Sequence, residues 1–218
     1  MAAAMLFGCV YVSADETDTG DETAVKSGSC GKTESDSVIW NLSDDGTLTI
    51  SGTGEMADYD DPTSTDEAAV KSPWADQRDS VTKVVVEDSI TRIGKYCFAR
   101  LANAATFDMS KNTTLTEIAY RGCYEFMFSN ELKLGDSVLS VGDEAFRKCR
   151  KFKTLTLGKN ATYGKYCFAE CQWTATEKAG INTVNIPRGV KAISDYMFYQ
   201  CNVLKNLFIG DTVESIGK

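Results

Sequence analysis

The sequence predicts a solenoid of short parallel β-strands preceded by a β-hairpin, and three observations lead to this fold class. An apolar pattern recurs about every 23 residues between positions 84 and 218. Each copy begins with an apolar-x-apolar triplet, whose two outer side chains point to the same face of a strand. A unit of this length cannot bury its own apolar face, so successive units must stack and share one core.

The clearest copy of the repeat runs from Leu155 to Cys171 and shows its parts. A strand triplet, Leu155-Thr156-Leu157, is followed by a turn, an apolar anchor and the segment Gly-x-x-Cys-Phe-x-x-Cys. The anchors are spaced 25, 23, 22, 30 and 23 residues apart, and they are Ile93, Ile118, Val141, Tyr163, Ile193 and Ile216. The long step contains an insertion at about 172–180. In four copies the strand end and the anchor are seven residues apart. This constant register predicts that the strands pair into one long parallel sheet.

The Phe-x-x-Cys segment predicts the opposite face of the solenoid. Residues three apart lie on the same side of a helical turn, so we expect short helical turns there. Four phenylalanines at equivalent positions should form an aromatic ladder in the core, and they are Phe98, Phe146, Phe168 and Phe198. The copy at 105–128 departs from the pattern, because Gly122-Cys123 replaces Ala-Phe. We therefore expect different core packing in that coil.

The combined motif resembles the BspA-like leucine-rich repeat of bacterial and some protist surface proteins. The resemblance covers residues 80–218 and rests on Ile-Gly-x-x-Ala/Cys-Phe-x-x-Cys followed by Leu-x-x-Leu-x-Ile. It implies a leucine-rich-repeat solenoid of α/β to mostly β class, with parallel strands on one face and helical turns on the other. It also implies a secreted or cell-wall-exposed protein that binds host or neighbouring-cell proteins.

The residues before the repeats differ in character. Residues 1–14 are apolar or small, carry no charge and end in Val-Ser-Ala, which is typical of a secretory signal and its cleavage site. This stretch is too short to span a bilayer, so we expect no transmembrane segment in the mature chain. A lipoprotein signal at Cys9 and a plain N-terminal tail are the alternatives.

Two further segments separate the signal from the repeats. Residues 15–27 are polar and acidic, and we expect a flexible leader there. Residues 28–79 contain two stretches of alternating apolar residues, 38–42 and 47–51, joined by Ser-Asp-Asp-Gly. This pattern predicts a β-hairpin. We expect the hairpin segment to cap the first coil.

Composition excludes several classes of function. The chain has no histidine, so a Ser-His-Asp triad, a Cys-His pair and a histidine-ligated zinc site are all ruled out. The net charge of −8 disfavours nucleic acid as a partner. The charge is also uneven, because residues 15–78 carry −12 and residues 79–218 carry +4. The two parts are therefore expected to have different surfaces.

Cysteines recur at two positions of the repeat. Cys97 and Cys167 share one position, and Cys149, Cys171 and Cys201 share the other. Equivalent residues of adjacent coils lie roughly 5 Å apart, but their side chains point the same way, which makes disulfides awkward. We interpret these cysteines as a ladder of buried thiols. The alternatives are a disulfide between coils and a metal site at Cys167 and Cys171, which are four residues apart.

Each of two charged clusters could be either a binding site or an ordinary solvated surface. Asp58, Asp60, Asp61 and Asp66 lie in one loop and could hold Ca²⁺, although their spacing does not match an EF-hand. We interpret them as a solvated acidic loop. The basic cluster 147–153 could meet an acidic polymer. We interpret it as a charged outer face.

The candidate binding residues lie on the outward row of the predicted sheet and in the insertion. The row consists of the middle residue of each strand triplet, namely Val85, Asp108, Lys133, Thr156, Asn185 and Phe208. Trp173 lies in the insertion, and tryptophan is enriched among interface residues that dominate binding energy. Because extended solenoid faces are common binding surfaces, we predict non-catalytic recognition of a protein, or of a glycan, without cofactor or metal.

Two alternatives remain for the function. The chain could be the accessory binding region of a longer secreted enzyme, or the spacer of a surface stalk. The last copy stops at Lys218, before its Phe-x-x-Cys segment, and solenoid ends are normally capped. We therefore expect the sequence to be a fragment of a longer protein.

Overall fold

A computed structural model describes residues 26–172 and 179–218. The predicted signal, most of the predicted leader and the candidate Trp173 lie outside the described residues. The strands, in chain order, are β1 (Lys26–Ser29), β2 (Ile39–Leu42), β3 (Thr47–Ser51), β4 (Gly54–Glu55), β5 (Lys83–Val86), β6 (Ile90–Ile93), β7 (Thr106–Asp108), β8 (Glu117–Ile118), β9 (Leu132–Lys133), β10 (Ser140–Val141), β11 (Thr154–Thr156), β12 (Thr162–Tyr163), β13 (Thr183–Ile186), β14 (Ala192–Ile193), β15 (Asn206–Ile209) and β16 (Ser215–Ile216).

The N-terminal hairpin forms as predicted and continues directly into the solenoid. Strands β2 and β3 pair antiparallel, and β1 adds to β2, beginning two residues before the boundary predicted for this segment. Strand β3 then pairs parallel with β5, with Leu48 opposite Val84 and Ile50 opposite Val86. All four of these side chains are buried. The hairpin therefore covers the apolar end of the first coil.

The predicted main sheet consists of two parts. The first has the strand order β1-β2-β3-β5-β7 and the second has the order β15-β13-β11-β9. Within both parts the repeat strands run parallel, because each coil returns the chain to the same side. The inward residues Val84, Leu132, Leu155 and Val184 are at most 2% exposed.

A second parallel sheet lies at the anchors and was not predicted. Its strand order is β12-β10-β8-β6-β4, and β14 pairs with β16 in the same manner. Most of these strands have only two residues, with the anchor turned inward. Ile93, Ile118 and Val141 are at most 1% exposed. Pairing with the neighbouring coils stabilises strands that are too short to form alone.

The predicted helical turns are instead pairs of tight turns. Each coil has two residues of positive φ, four apart in sequence, at Tyr96 and Arg100, Arg121 and Glu125, Glu144 and Lys148, Tyr166 and Glu170, and Tyr196 and Gln200. Alternate N–H groups of this segment donate to the next coil, as from Phe146 to the Cys167 carbonyl at 2.8 Å, and those between them close turns within the coil, as from Arg147 to Glu144 O at 3.0 Å. Donors used between coils cannot make the i to i−4 bonds of an α-helix. In the described residues the only helix is a 3-10 helix over Ala75–Ser80.

The aromatic ladder forms in two separate stacks. Phe146 and Phe168 stack at 5.3 Å between ring centroids and 9° between planes, and Phe198 follows Phe168 at 6.1 Å. Phe98 stacks instead on Trp74 at 6.0 Å. In the degenerate coil Phe126, at 6.2 Å from Phe98, takes the place of the missing ladder residue. The altered packing predicted for this coil is confirmed.

The cysteines form the predicted buried ladder. All seven cysteines in the described residues are free thiols and are buried. Three of the Sγ atoms donate to carbonyls of the preceding coil, from Cys149 to Cys123 O at 2.9 Å, from Cys171 to Phe146 O at 3.1 Å and from Cys201 to Phe168 O at 3.1 Å. Burial raises the pKa of the Cys149 and Cys167 thiols, so both stay protonated at neutral pH. The thiols therefore act as small buried donors between coils.

The acidic loop is fastened to the first coils by its carboxylates. Asp58 accepts from Arg92 at 2.8 Å, and Asp61 accepts from Arg100 Nε at 3.0 Å. Partial burial acts to raise the pKa of Asp61, but the hydrogen bonds from Arg100 and Thr63 outweigh it and lower that pKa to about 2. Two of the four aspartates thus hold the loop on the solenoid.

Candidate binding face

The outward row predicted from the repeat exists, and its members are in register. Val85 lies opposite Asp108 in the first part of the main sheet. In the second part Lys133 lies opposite Thr156, Thr156 opposite Asn185, and Asn185 opposite Phe208. Side chains of the row therefore stand side by side on the face that points away from the core.

Exposure differs along the row. Lys133 and Phe208 are exposed, with Phe208 at 61%, whereas the other four members are half-buried. Asn185 Nδ2 donates to Thr156 Oγ1 at 3.3 Å, which links two coils across the surface. Phe208 faces outward from β15, whereas its exposed neighbours Leu207 and Ile209 point to the opposite side of the strand. The row thus offers a polar middle and an apolar end.

A break divides the face between β7 and β9, and we call it the seam. These two strands do not pair, although they belong to consecutive coils. The side chain of Asn130 accepts from Phe107 N at 3.0 Å and donates to Phe107 O at 2.9 Å. A cavity of about 380 Å³ opens at the seam, and its lining includes the row members Asp108 and Lys133. The sequence analysis did not predict this cavity. Its one signal in the sequence is the 25-residue spacing between Ile93 and Ile118, which leads into the degenerate copy.

The turn face on the other side carries a network of paired charges and tyrosines. From the basic cluster, Arg147 bonds Glu170, with Nε 2.8 Å from Oε1, and it also pairs with Glu144 at 2.9 Å. Lys148 pairs with Glu125 at 3.5 Å. Arg147 and Lys148 are therefore neutralised by neighbouring coils, in line with a charged outer face.

Tyrosines cover part of the same turn face. Tyr166 and Tyr196 stack at 4.8 Å, and Tyr199 packs edge-on against both. Arg121 lies over the rings of Tyr120 and Tyr124 at 5.0 and 4.9 Å. The contacts of Tyr166 join successive coils, whereas those of Arg121 with Tyr120 and Tyr124 lie within one coil.

Comparison with known families identifies the repeat. A family model described as the BspA type leucine-rich repeat region matches residues 75–177 and 174–218, with six copies. The chain belongs to this family. BspA-type leucine-rich-repeat proteins are typically extracellular or surface proteins, and the repeat indicates a protein-binding role and is typically non-enzymatic.

A solved structure shows the same fold. A leucine-rich repeat protein from T. pallidum aligns with a TM-score of 0.55 and 19% identity, over 82% of each chain. One from Bacteroides ovatus has a TM-score of 0.47 and 20% identity, over 83% of this chain and 54% of that one. Comparison with curated proteins returns no match. Within the described residues, no helix is long and apolar enough to cross a membrane.

Proposed function

We propose that this leucine-rich-repeat chain is a non-catalytic binding protein that acts outside the cell or at its surface. It recognises a protein on a host or neighbouring cell through the outward row of its main sheet. The observation that carries the proposal is the register of that row, which aligns two of its residues in the first part of the main sheet and four in the second. A side-by-side array of this kind presents one extended contact surface.

The composition of the row supports a protein partner. The lysine, aspartate and half-buried amide and hydroxyl groups along it can pair with polar groups of a partner. The exposed Phe208 adds an apolar contact at one end. Protein interfaces combine an apolar centre with a polar surround in the same way. Trp173 stays a predicted contact in the insertion.

The chemistry of the chain supports a role without catalysis. Histidine is the side chain whose unperturbed pKa lies closest to neutrality, and the sequence contains none. The described thiols are buried, so they are shielded from a substrate. Adhesion or capture, which needs only contact, fits these residues better than a reaction.

The test compares two triple variants of the full chain. In the first, Lys133, Asn185 and Phe208 of the row are changed to alanine. In the matched control, three exposed residues of the turn face, Lys151, Lys165 and Gln200, are changed to alanine. Binding of each labelled protein to intact cells and to arrays of purified extracellular proteins is measured by fluorescence.

We expect the row variant to lose binding about tenfold or more and the control to keep it. A Trp173→Ala variant should also bind more weakly. Equal binding by the row variant and the wild type would contradict the proposal, and so would loss confined to the turn-face variant.

A further inference from the structure

The cavity at the seam has the size and lining of a ligand site. Its volume of about 380 Å³ falls within the range of natural small-ligand pockets. Leu115, Leu132 and Val138 form the floor of the cavity, and because each is at most 3% exposed, only a small part of each side chain borders it. Asp108 and Lys133 add charges of opposite sign. The lining therefore suits an apolar group flanked by polar ones.

The seam also leaves backbone groups of the sheet without partners. In regular coils the residue after the outward one donates to the outward residue of the next coil. Leu134 N donates to Thr156 O at 3.0 Å, and Leu157 N donates to Asn185 O at 3.0 Å. The equivalent pair at the seam is the amide of Met109 and the carbonyl of Lys133. In the described part of the chain, no hydrogen bond joins these two groups.

The open groups face one another across the seam. Leu134 directs its N–H toward β11, and neighbouring residues of a strand direct their backbone groups to opposite sides. Lys133 therefore turns its N–H and C=O toward β7. Met109, which follows β7, lines the same cavity. A ligand group that carries both an acceptor and a donor can therefore bond to the Met109 amide and the Lys133 carbonyl.

We propose that the seam binds an extended peptide segment of a partner protein, one peptide group of which lies between Met109 and Lys133. A single peptide group presents its C=O and N–H in opposite directions. Its C=O accepts from the Met109 amide, and its N–H donates to the Lys133 carbonyl. Strand addition of this kind is a common mode of peptide recognition, with main-chain bonds supplying affinity and side-chain pockets supplying specificity.

The side chains of the segment are also specified by the cavity. One apolar side chain packs against Leu115, Leu132 and Val138. Neighbouring polar residues of the segment face Asp108 and Lys133, and Lys133 is exposed with no ion pair in the described residues. The proposal rests on the protein-binding function above and names the class of ligand for part of the same face.

A cavity-filling variant tests the site without disturbing the core. Gly135 lines the cavity and is exposed, and a Cβ added there meets only Ser137 Oγ, at 3.5 Å. Gly135→Trp should therefore fold and fill the cavity. The control is Lys205→Trp, which adds the same ring at an exposed position of the last coil. Circular dichroism and the urea midpoint report whether each variant is folded.

The probe is a display library of random linear peptides, selected on the full wild-type chain. Affinities of selected peptides are measured by fluorescence polarisation. We expect the wild type and Lys205→Trp to bind equally and Gly135→Trp to bind about tenfold more weakly or worse. Methylation of the central amide nitrogen of a selected peptide should weaken its binding to the wild type by a similar factor, because it removes the donor to Lys133.

Three results would overturn this inference. They are equal binding by Gly135→Trp, no effect of N-methylation at any position, and no enrichment of any linear peptide. If Gly135→Trp fails to fold, Ser137→Trp at the cavity rim and the N-methyl series decide the question. None of these results bears on the row variant described above. If the row variant loses cell binding and the seam binds no peptide, this inference is wrong but the proposed protein-binding function is supported.

Discussion

Asn130 occupies the place of a neighbouring strand beside Phe107. Its side-chain amide accepts from Phe107 N at 3.0 Å and donates to Phe107 O at 2.9 Å, the two bonds that a parallel strand would supply. One side chain therefore satisfies both backbone groups of a residue whose own side chain is 3% exposed. Because Asn130 takes the place of a strand beside Phe107, β7 is the last strand of the first part of the main sheet, and the seam lies next to it.

Removing the amide should destabilise the fold locally. Asn130→Ala leaves both backbone groups of Phe107 without a partner, and we expect a loss of about 1–3 kcal/mol in the free energy of unfolding. The control Asn160→Ala removes one exposed bond, to Asp136 O, and should cost less. Urea denaturation followed by circular dichroism measures both variants. A smaller loss for Asn130→Ala than for the control would contradict the role of Asn130.

The phenylalanine ladder should carry much of the stability of the solenoid. Phe146 is fully buried and stacked on Phe168, so Phe146→Ala creates a cavity and should cost about 3–5 kcal/mol. Phe208 is 61% exposed, so Phe208→Ala should change stability by only about 0.5 kcal/mol or less. Urea midpoints of the two variants should differ clearly. Similar midpoints would show that the ladder does not stabilise the fold.

Most of the described thiols should react only after unfolding. Burial raises the pKa of the Cys30 thiol to about 12 and also raises that of Cys123. Because the thiolate is the reactive form, a thiol reagent at neutral pH should leave six of the seven described cysteines unmodified in the native protein. Cys201 should react first, because the hydrogen bond with Cys171 lowers its pKa. In denaturant without reductant all of them should react. Fewer reactive thiols under that condition, counted by absorbance, would indicate disulfides between coils.

The acidic loop should make stability depend on pH in the acid range. The pKa of Asp61 is lowered to about 2 in the folded chain, against about 3.9 in an unfolded one. Between these values the unfolded state binds more protons, so stability falls as the pH falls from about 4 to about 2. Asp61→Asn should lower the urea midpoint at pH 7 and converge with the wild type near pH 2.

Asp44→Asn is the matched control for this pH effect. Asp44 lies in the hairpin turn and is exposed, so the variant should follow the wild type at every pH. A constant difference between Asp61→Asn and the wild type down to pH 2 would show that the loop carboxylate does not cause the acid dependence.

The repeat spacing predicted the main strands and the outward row because these depend on local patterns. Inward residues such as Val184 and Leu155 alternate with outward ones, and that alternation is visible in one copy. The two-residue strands at the anchors have no such local pattern. Glu117–Ile118 forms a strand only because β6 and β10 lie on either side of it. The second sheet was therefore missed.

The turn face illustrates a different limit. The spacing of Phe and Cys fits one side of a helical turn, and it fits a pair of tight turns equally well. Hydrogen bonding decides between them, because the N–H of Phe168 donates to the Met197 carbonyl of the next coil at 3.1 Å. The sequence does not give the separation between coils, so it cannot show that an N–H group of one coil bonds to a carbonyl of the next.

The sequence by itself determined that this protein is a stack of repeats, which residues face its core and which row faces outward, because a fixed period imposes the same environment on every copy. Only the tertiary structure decided where the stack is interrupted. The pairing of Asn130 with Phe107 joins residues 23 apart in sequence and depends on the close approach of two coils. The separation of β7 from β9, and with it the cavity beside Lys133, follows from that contact between coils.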